Sequence, residues 1–375
     1  MKIGILTQPL HNNYGGLLQA YALQTFLKKQ GHNVLTVDFY IEDEKRIQIK
    51  QLIRNFIKKY ILRRQIDPIY SLTKKDKLRI SQHTSHFIAE NIKKTQYISE
   101  LNELAYLKQY QFDAYIVGSD QVWRPSYSPG MPAFFLSFLK DHDKTKRIAY
   151  AASFGVDHCN EFTENELNQY SLLSQKFHAI GVREDSAIVL CRKYLKVDAE
   201  LVLDPTLLLE KDEYIKLINN DITSSPNGNM MVYVLDKNDE KSQIIDAVSK
   251  NYKLQPYTIM PNSHDDVFPP VTQWLRGFLD ASFVVTDSFH GVIFSIIFNK
   301  QFIAIGNKSR GLARFLSILK LFNLENRLIF SHNDLSKIFS QPEINFSDVD
   351  KLRKELMKKS TLFIDNALNS VKHND

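Results

Sequence analysis

Short runs of apolar, β-favouring residues alternate with helix-spaced segments along most of this chain, and that alternation restricts it to parallel βαβ units. Ile3–Thr7 reads as the first strand, and Leu17–Lys29 as a helix with apolar residues at 17, 18, 21, 23, 26 and 27. Gly31 stops that helix, and Val34–Phe39 follows as the second strand. Further strands are expected at Ala114–Gly118, Arg147–Ser153, Ala179–Val182, Ala199–Leu203, Met231–Leu235, Pro256–Met260, Phe283–Thr286 and Gln301–Ile305. Val349–Val371 reads as a charged terminal helix. In open sheets of this kind ligands sit beyond the carboxyl ends of the strands, so the residues just after each strand are where chemistry is expected.

At ~150 residues per domain, the 375 residues suggest two domains. The cluster Ser224–Asn229, rich in Ser, Pro, Asn and Gly, is the expected linker. The expected division is a doubly wound α/β domain at 1–223 with a helical insertion at about 44–110, a second at 230–345, and a helix at 346–375 packing back on the first. The excess of 48 Lys+Arg over 42 Asp+Glu is too mild for a nucleic-acid binder, so no nucleic-acid partner is expected. Two cysteines, Cys159 and Cys191, are too few for a disulfide framework. No signal-peptide pattern follows Lys2, and no window of roughly 18 apolar residues exists, which points to the cytoplasm. Within the insertion, Glu44–Arg64 carries eight Lys/Arg and one acid, with apolar residues at helical spacing. Two readings stand: a lid helix packed on its own domain, or a basic amphipathic helix lying on an anionic membrane surface.

Five strand-end segments carry candidate site residues. The loop from His11 leads through Asn13, Tyr14, Gly15 and Gly16 into a helix bearing Gln19, a place for an anion or a sugar hydroxyl, or a plain tight turn. Ser119, Asp120 and Trp123 follow the strand at 114–118; Asp120 suits hydroxyl recognition and an exposed Trp123 suits stacking on a sugar ring, against the alternative of a capping pair with Trp123 buried. Arg183 follows the strand at 179–182, where its fork fits a carboxylate or phosphate, or pairs with Glu184 or Asp204. Thr286, Asp287, Ser288, Phe289, His290 and Gly291 open an apolar helix, with His290 at its positive end. A protonated His290 there needs a compensating anion, from Asp287 or a bound phosphorylated ligand. Lys308 and Arg310 follow the strand at 301–305 and add two cations. No zinc-like spacing, nucleophile elbow, phosphate-binding Walker loop or complete dinucleotide fingerprint appears, so no metal and no redox cofactor is expected.

In order along the chain, Asn13–Gly16 with Leu18–Leu23, Gly118–Trp123, Arg183–Ser186, Asp204–Thr206 and Asp287–Gly291 resemble the polysaccharide pyruvyl transferases. The resemblance runs from residue 1 to roughly 330. It implies two Rossmann-like domains arranged as in GT-B glycosyltransferases, with the active cleft between them. It also implies transfer of pyruvate from phosphoenolpyruvate to two hydroxyls of one sugar, giving a cyclic ketal and phosphate without a cofactor. His290 then matches the general acid, and Arg183 an arginine that binds the donor. Several members of the family carry a second arginine two positions before the histidine, where this chain has Ser288; Lys308 or Arg310 is expected to take its place. Asn13, Tyr14, Gly15, Gly16, Gln19, Ser119, Asp120 and Trp123 are the expected acceptor contacts. The acceptor is expected to be a sugar of a surface polysaccharide or its lipid-linked precursor, with the helix at 44–64 holding the protein at the membrane. The alternatives are a nucleotide-sugar glycosyltransferase and a non-catalytic glycan-binding protein of the same fold.

Overall fold

The computed structural model describes residues 1–41, 73–221, 224–263, 265–307 and 311–370. The basic segment 44–64, and Lys308 and Arg310, lie outside the described residues. Six strands form the first sheet: β1 (Lys2–Leu6), β2 (Asn33–Thr36), β3 (Ala114–Val117), β4 (Lys146–Ala152), β5 (Ala179–Val182) and β6 (Glu200–Leu201). Their order is β2-β1-β3-β4-β5-β6, parallel throughout. Five more strands form the second: β7 (Met230–Tyr233), β8 (Pro256–Tyr257), β9 (Phe283–Thr286), β10 (Gln301–Ile305) and β11 (Leu328–Ile329). Their order is β11-β10-β9-β7-β8, again all parallel.

Each sheet is apolar on both faces because helices cover both. In the first, Ile3, Ile5, Ile116 and Tyr150 pack with Leu23 and Leu27 of the helix Tyr14–Lys29. Leu6, Tyr115, Val117 and Ala149 point the other way, onto Trp123, Phe134 and Phe135. In the second, Met230, Val232 and Val285 meet the helix Asp239–Tyr252, while Met231, Tyr233 and Val284 meet the helix Val271–Asp280. That last cluster also contains Tyr14, Leu17 and Leu18 of the first domain, so one hydrophobic core crosses the domain boundary. The helical pair Lys74–Ile80 and Gln82–Asn91 bridges the same boundary: the Phe268 amide donates to the Ile80 carbonyl at 3.0 Å and Arg79 donates to the Asp265 carbonyl at 2.6 Å. No described helix is long and apolar enough to cross a membrane.

The helix starting the first βα unit begins at Tyr14, three residues before the apolar periodicity does. Asn13 caps it by accepting the Gly16 N–H, which draws both glycines into the first turn instead of leaving them in a loop. The last helix, Phe346–Asn369, returns to the first sheet, where Phe363, Ile364 and Leu368 are buried against Tyr150 and Val202. Phe363→Ala should therefore cost about 3 kcal/mol of stability in denaturant unfolding. A loss under about 1 kcal/mol would mean that this helix is not part of the first domain's core.

Candidate functional site

At the end of β3 the chain turns through Gly118, Ser119 and Asp120, and buried hydrogen bonds hold that turn to the first helix. Gln19 accepts from the Ser119 amide (3.2 Å) and donates to Thr7 Oγ1 (2.8 Å) and the Gly16 carbonyl (2.9 Å). Thr7 Oγ1 donates to the Ser119 carbonyl at 3.0 Å. Asp120 adopts a left-handed backbone, φ 73°, and its carboxylate lines the space between the two sheets.

Arg183, following β5, lies behind that carboxylate. Its Nη2 donates to Asp120 Oδ1 at 2.9 Å and its Nη1 to Asp204 Oδ2 at 2.8 Å, and its side chain is 1 % exposed. Its guanidinium lies 4.5 Å from the Phe289 ring centre. Asp204, just beyond β6, is fully engaged: Oδ1 accepts from the Thr206 amide (3.0 Å) and hydroxyl (2.7 Å), and Oδ2 also accepts from Ser119 Oγ (3.3 Å). Burial alone pushes Asp204 up, but His290 and Arg183 outweigh it and hold the carboxyl far below the ordinary range. Asp120 moves down too: burial opposes, and Arg183, Arg314 and His290 prevail.

From the second domain, Ser288 caps the helix Phe289–Ile297, its Oγ accepting the Gly291 N–H at 3.4 Å. His290 stands in the first turn of that helix, with Nε2 3.7 Å from Asp204 Oδ2 and without a hydrogen-bond partner among the described residues. Its other side rests on the first domain: a Cβ on Gly15 would lie 2.0 Å from His290 Nδ1. Gly15 is therefore the spacer that admits the imidazole between the domains. Tyr14 beside it crosses over, donating from its hydroxyl to the Pro269 carbonyl at 2.8 Å and stacking on Trp274 at 5.5 Å. Arg314, on the helix Leu312–Leu321, completes the group, with Nη1 3.5 Å from Asp120 Oδ1. Burial, with Arg183 as a nearby like charge, lowers Arg314 from its ordinary value.

Tyr14, Asp120, Ser288, His290 and Arg314 line a cavity of about 490 Å³ between the domains. Asn13, Tyr14, Gly16, Asp120, Ser288 and His290, all expected from sequence, line it. Others do not. Trp123 is fully buried, stacks on Phe135 at 5.3 Å and donates Nε1–H to the Phe134 carbonyl at 3.1 Å, so it is a core residue and not a sugar platform. Gln19 and Ser119 are fully buried and staple the turn, with no surface towards a ligand. Gly15 is occupied by the imidazole, and Arg183 by its two carboxylates, the ion-pair alternative for that residue. Asp287 does not face His290: its oxygens accept from the Leu235 amide (2.7 Å) and from Lys241 Nζ (2.7 Å), and the anion opposite the imidazole is Asp204. Among the cavity residues left unassigned in sequence are Arg314, His11, Gln8, Asn12, Gln121 and Tyr127. The signal for Arg314 was a cation set among Leu312, Phe315, Ile318 and Leu319 of an apolar helix. His11 opens the polar loop after β1. Among the described residues no group of three or more His, Cys, Asp or Glu is arranged to hold a metal ion.

Gly15→Ala should cost about 1–3 kcal/mol in chemical denaturation, because the new methyl must displace His290. Gly16→Ala, which meets only the Asn13 side chain at 3.2 Å, should be close to neutral; equal costs would remove the spacer role of Gly15. Asp204→Asn leaves Arg183 undercompensated and should destabilise the neutral-pH protein by about 3–5 kcal/mol. A depressed carboxylate stabilises above its unfolded-state pKa near 4 and loses that contribution as pH falls towards its folded-state value. The stability gap between wild type and Asp204→Asn should therefore narrow below about pH 4. A gap constant down to pH 2 would contradict the ion-pair assignment.

The family of the chain follows from comparison with known proteins. Residues 13–309 match the model of the polysaccharide pyruvyl transferases. A search of curated proteins returns no match. Among solved structures, UGT89C1 of Arabidopsis thaliana complexed with UDP-L-rhamnose is similar in fold, at TM-score 0.52 and 9 % identity over 98 % of each chain. UDP-GlcNAc 2-epimerase of Neisseria meningitidis, bound to UDP-GlcNAc, aligns at TM-score 0.51 and 10 % identity, over 99 % of this chain and 100 % of that one. Both likenesses agree with two Rossmann-like domains in the GT-B arrangement. The match covers β2 to β10 and includes Gly15, Arg183, Asp204 and His290, and the chain belongs to the polysaccharide pyruvyl transferase family.

Proposed function

We propose that the protein transfers the pyruvate unit of phosphoenolpyruvate to two hydroxyls of one sugar, closing a cyclic ketal and releasing phosphate. The observation that supports this most is His290: an imidazole at a cavity wall, with Nε2 unbonded among the described residues and Asp204 facing it at 3.7 Å. Such a group, held in one orientation by Gly15 and Asp204, suits proton delivery to a ligand in the cavity.

In this mechanism His290 protonates the methylene carbon C3, and positive charge develops at C2. One sugar hydroxyl adds to C2 and its proton returns to the imidazole. The C2–O bond to phosphate then breaks, and the second hydroxyl closes the ring, its proton leaving with the phosphate. Two hydroxyl protons enter; one ends in the new methyl group and one on hydrogen phosphate. The donor needs its carboxylate and phosphate held while charge moves. Arg314 is a described cation that lines the cavity, and Ser288 lines it together with His290. Lys308 and Arg310 remain proposed as further cations. Arg183, with its fork on Asp120 and Asp204, acts as a positioning residue: it orients the carboxylate that faces the imidazole. Asn13, Tyr14, Gly16 and Asp120 are proposed for the acceptor side. The acceptor is a sugar of a surface polysaccharide or its lipid-linked precursor, met at the cytoplasmic face of the membrane, with the basic segment 44–64 against anionic lipid.

His290→Gln should lower phosphate release from phosphoenolpyruvate at least about 100-fold while leaving donor binding in place. In D₂O, the wild type should place one deuterium in the methyl group of the ketal. Release at the wild-type rate by the variant removes the acid role. At ~100 times its dissociation constant, a ligand adds about 2.7 kcal/mol to stability. Phosphoenolpyruvate should therefore raise the melting temperature; a shift with UDP and none with phosphoenolpyruvate would point to nucleotide-sugar transfer instead.

A further inference from the structure

A second cavity, of about 580 Å³, opens beside the first at the carboxyl ends of β7 and β10. Tyr127 lines both, so this second cavity is a trough that adjoins the first. Aromatic rings stand on its walls. Phe330 is 50 % exposed and rests on the backbone of Gly306, where a Cβ would come within 2.5 Å of the ring. Tyr127 is 42 % exposed, with the Arg124 guanidinium 4.7 Å from its ring centre. Each ring is thus held by a protein group and still presents surface to the trough. Rings so placed at the mouth of a polar pocket match the apolar C–H face of a pyranose.

The polar part of the wall completes the match. Asp236 and Glu240 contribute carboxylates, and Asn238 and Asn307 contribute amides. Lys241 is matched to Asp287 at 2.7 Å and donates to the Asp236 carbonyl at 2.8 Å. On the described part of this wall the carboxylates and amides accept from and donate to hydroxyls, which suits a neutral ligand rich in them.

We infer that the trough beside Phe330 and Tyr127 is an acceptor subsite that binds a neutral sugar residue next to the one being modified. This rests on the pyruvyl-transfer reading for the location of the reacting sugar. It makes the preferred acceptor an oligosaccharide or polymer rather than a single sugar, and makes Phe330 a specificity-determining residue remote from the reacting atoms.

The test compares neutral acceptors of one and four sugar units that share the same terminal residue, with phosphate release as the readout. Wild type should favour the four-unit acceptor. Phe330→Ala should raise its KM about ten-fold, with the one-unit acceptor and the KM for phosphoenolpyruvate unchanged. Phe330→Trp should restore the preference. Equal KM values for wild type and Phe330→Ala on the longer acceptor, or equal losses on both acceptors, overturn the subsite. If wild type releases no phosphate with any acceptor, the transfer reading fails and binding alone decides. Saturation-transfer NMR on the neutral four-unit glycans should then show contacts that disappear in Phe330→Ala. Contacts that persist in that variant, or that UDP shows and the glycans do not, overturn the subsite as well.

Discussion

Arg183 is buried between two carboxylates, and the geometry of the cavity depends on that arrangement. Removing a guanidinium from water costs several kcal/mol, and only close, well-directed anions offset it. Asp204 and Asp120 supply them at 2.8 and 2.9 Å, from the ends of two other strands of the same sheet. The consequence reaches the second domain. Asp204 is left with a fixed oxygen pointing at His290, and the Arg183 guanidinium lies over Phe289, the residue beside it. A single buried cation therefore sets the positions of the two carboxylates and steadies the helix that carries the imidazole.

The same arrangement separates positioning from recognition. A guanidinium already matched to two carboxylates has little attraction left for a ligand. Arg314 also meets Asp120, at 3.5 Å, but unlike Arg183 it lines the cavity, and Arg183 stands near it as a like charge. A polyanion in the cavity relieves that repulsion, which is the electrostatic basis for assigning Arg314 to the proposed donor site. The imidazole gains in the same way, since it sits at the positive end of a helix.

Local pattern carried most of the fold and only part of the site. Strands at 179–182, 283–286 and 301–305 stand where the apolar runs put them, because a strand buried on both faces is written as an uninterrupted apolar run. The first helix starts early because a cap, and not hydrophobic period, sets its first residue. β11 was not anticipated, and β6 and β8, expected over Ala199–Leu203 and Pro256–Met260, are each only two residues long. In the site, the strand-end rule located Asp120, Arg183, Ser288 and His290. It was silent on exposure: Trp123 and Gln19 follow or precede the right strands and still face inward. The approach of Asp204 to His290, 86 positions apart in sequence, is set by how two domains pack, and no local pattern encodes it. Arg314 was hidden by its setting, a cation among Leu312, Phe315, Ile318 and Leu319 in a helix that reads as core.

The central claim is that the cavity holds phosphoenolpyruvate, a small polyanion, through Arg314, with Arg183 serving only to hold the carboxylates. Calorimetric titration of phosphoenolpyruvate into wild type and Arg314→Met, with near-ultraviolet dichroism verifying that the variant is folded, tests it directly. The account predicts binding by wild type and a loss of at least about ten-fold, roughly 1.4 kcal/mol, in Arg314→Met. Unchanged affinity in the folded variant, or no binding of the donor by wild type, would contradict it.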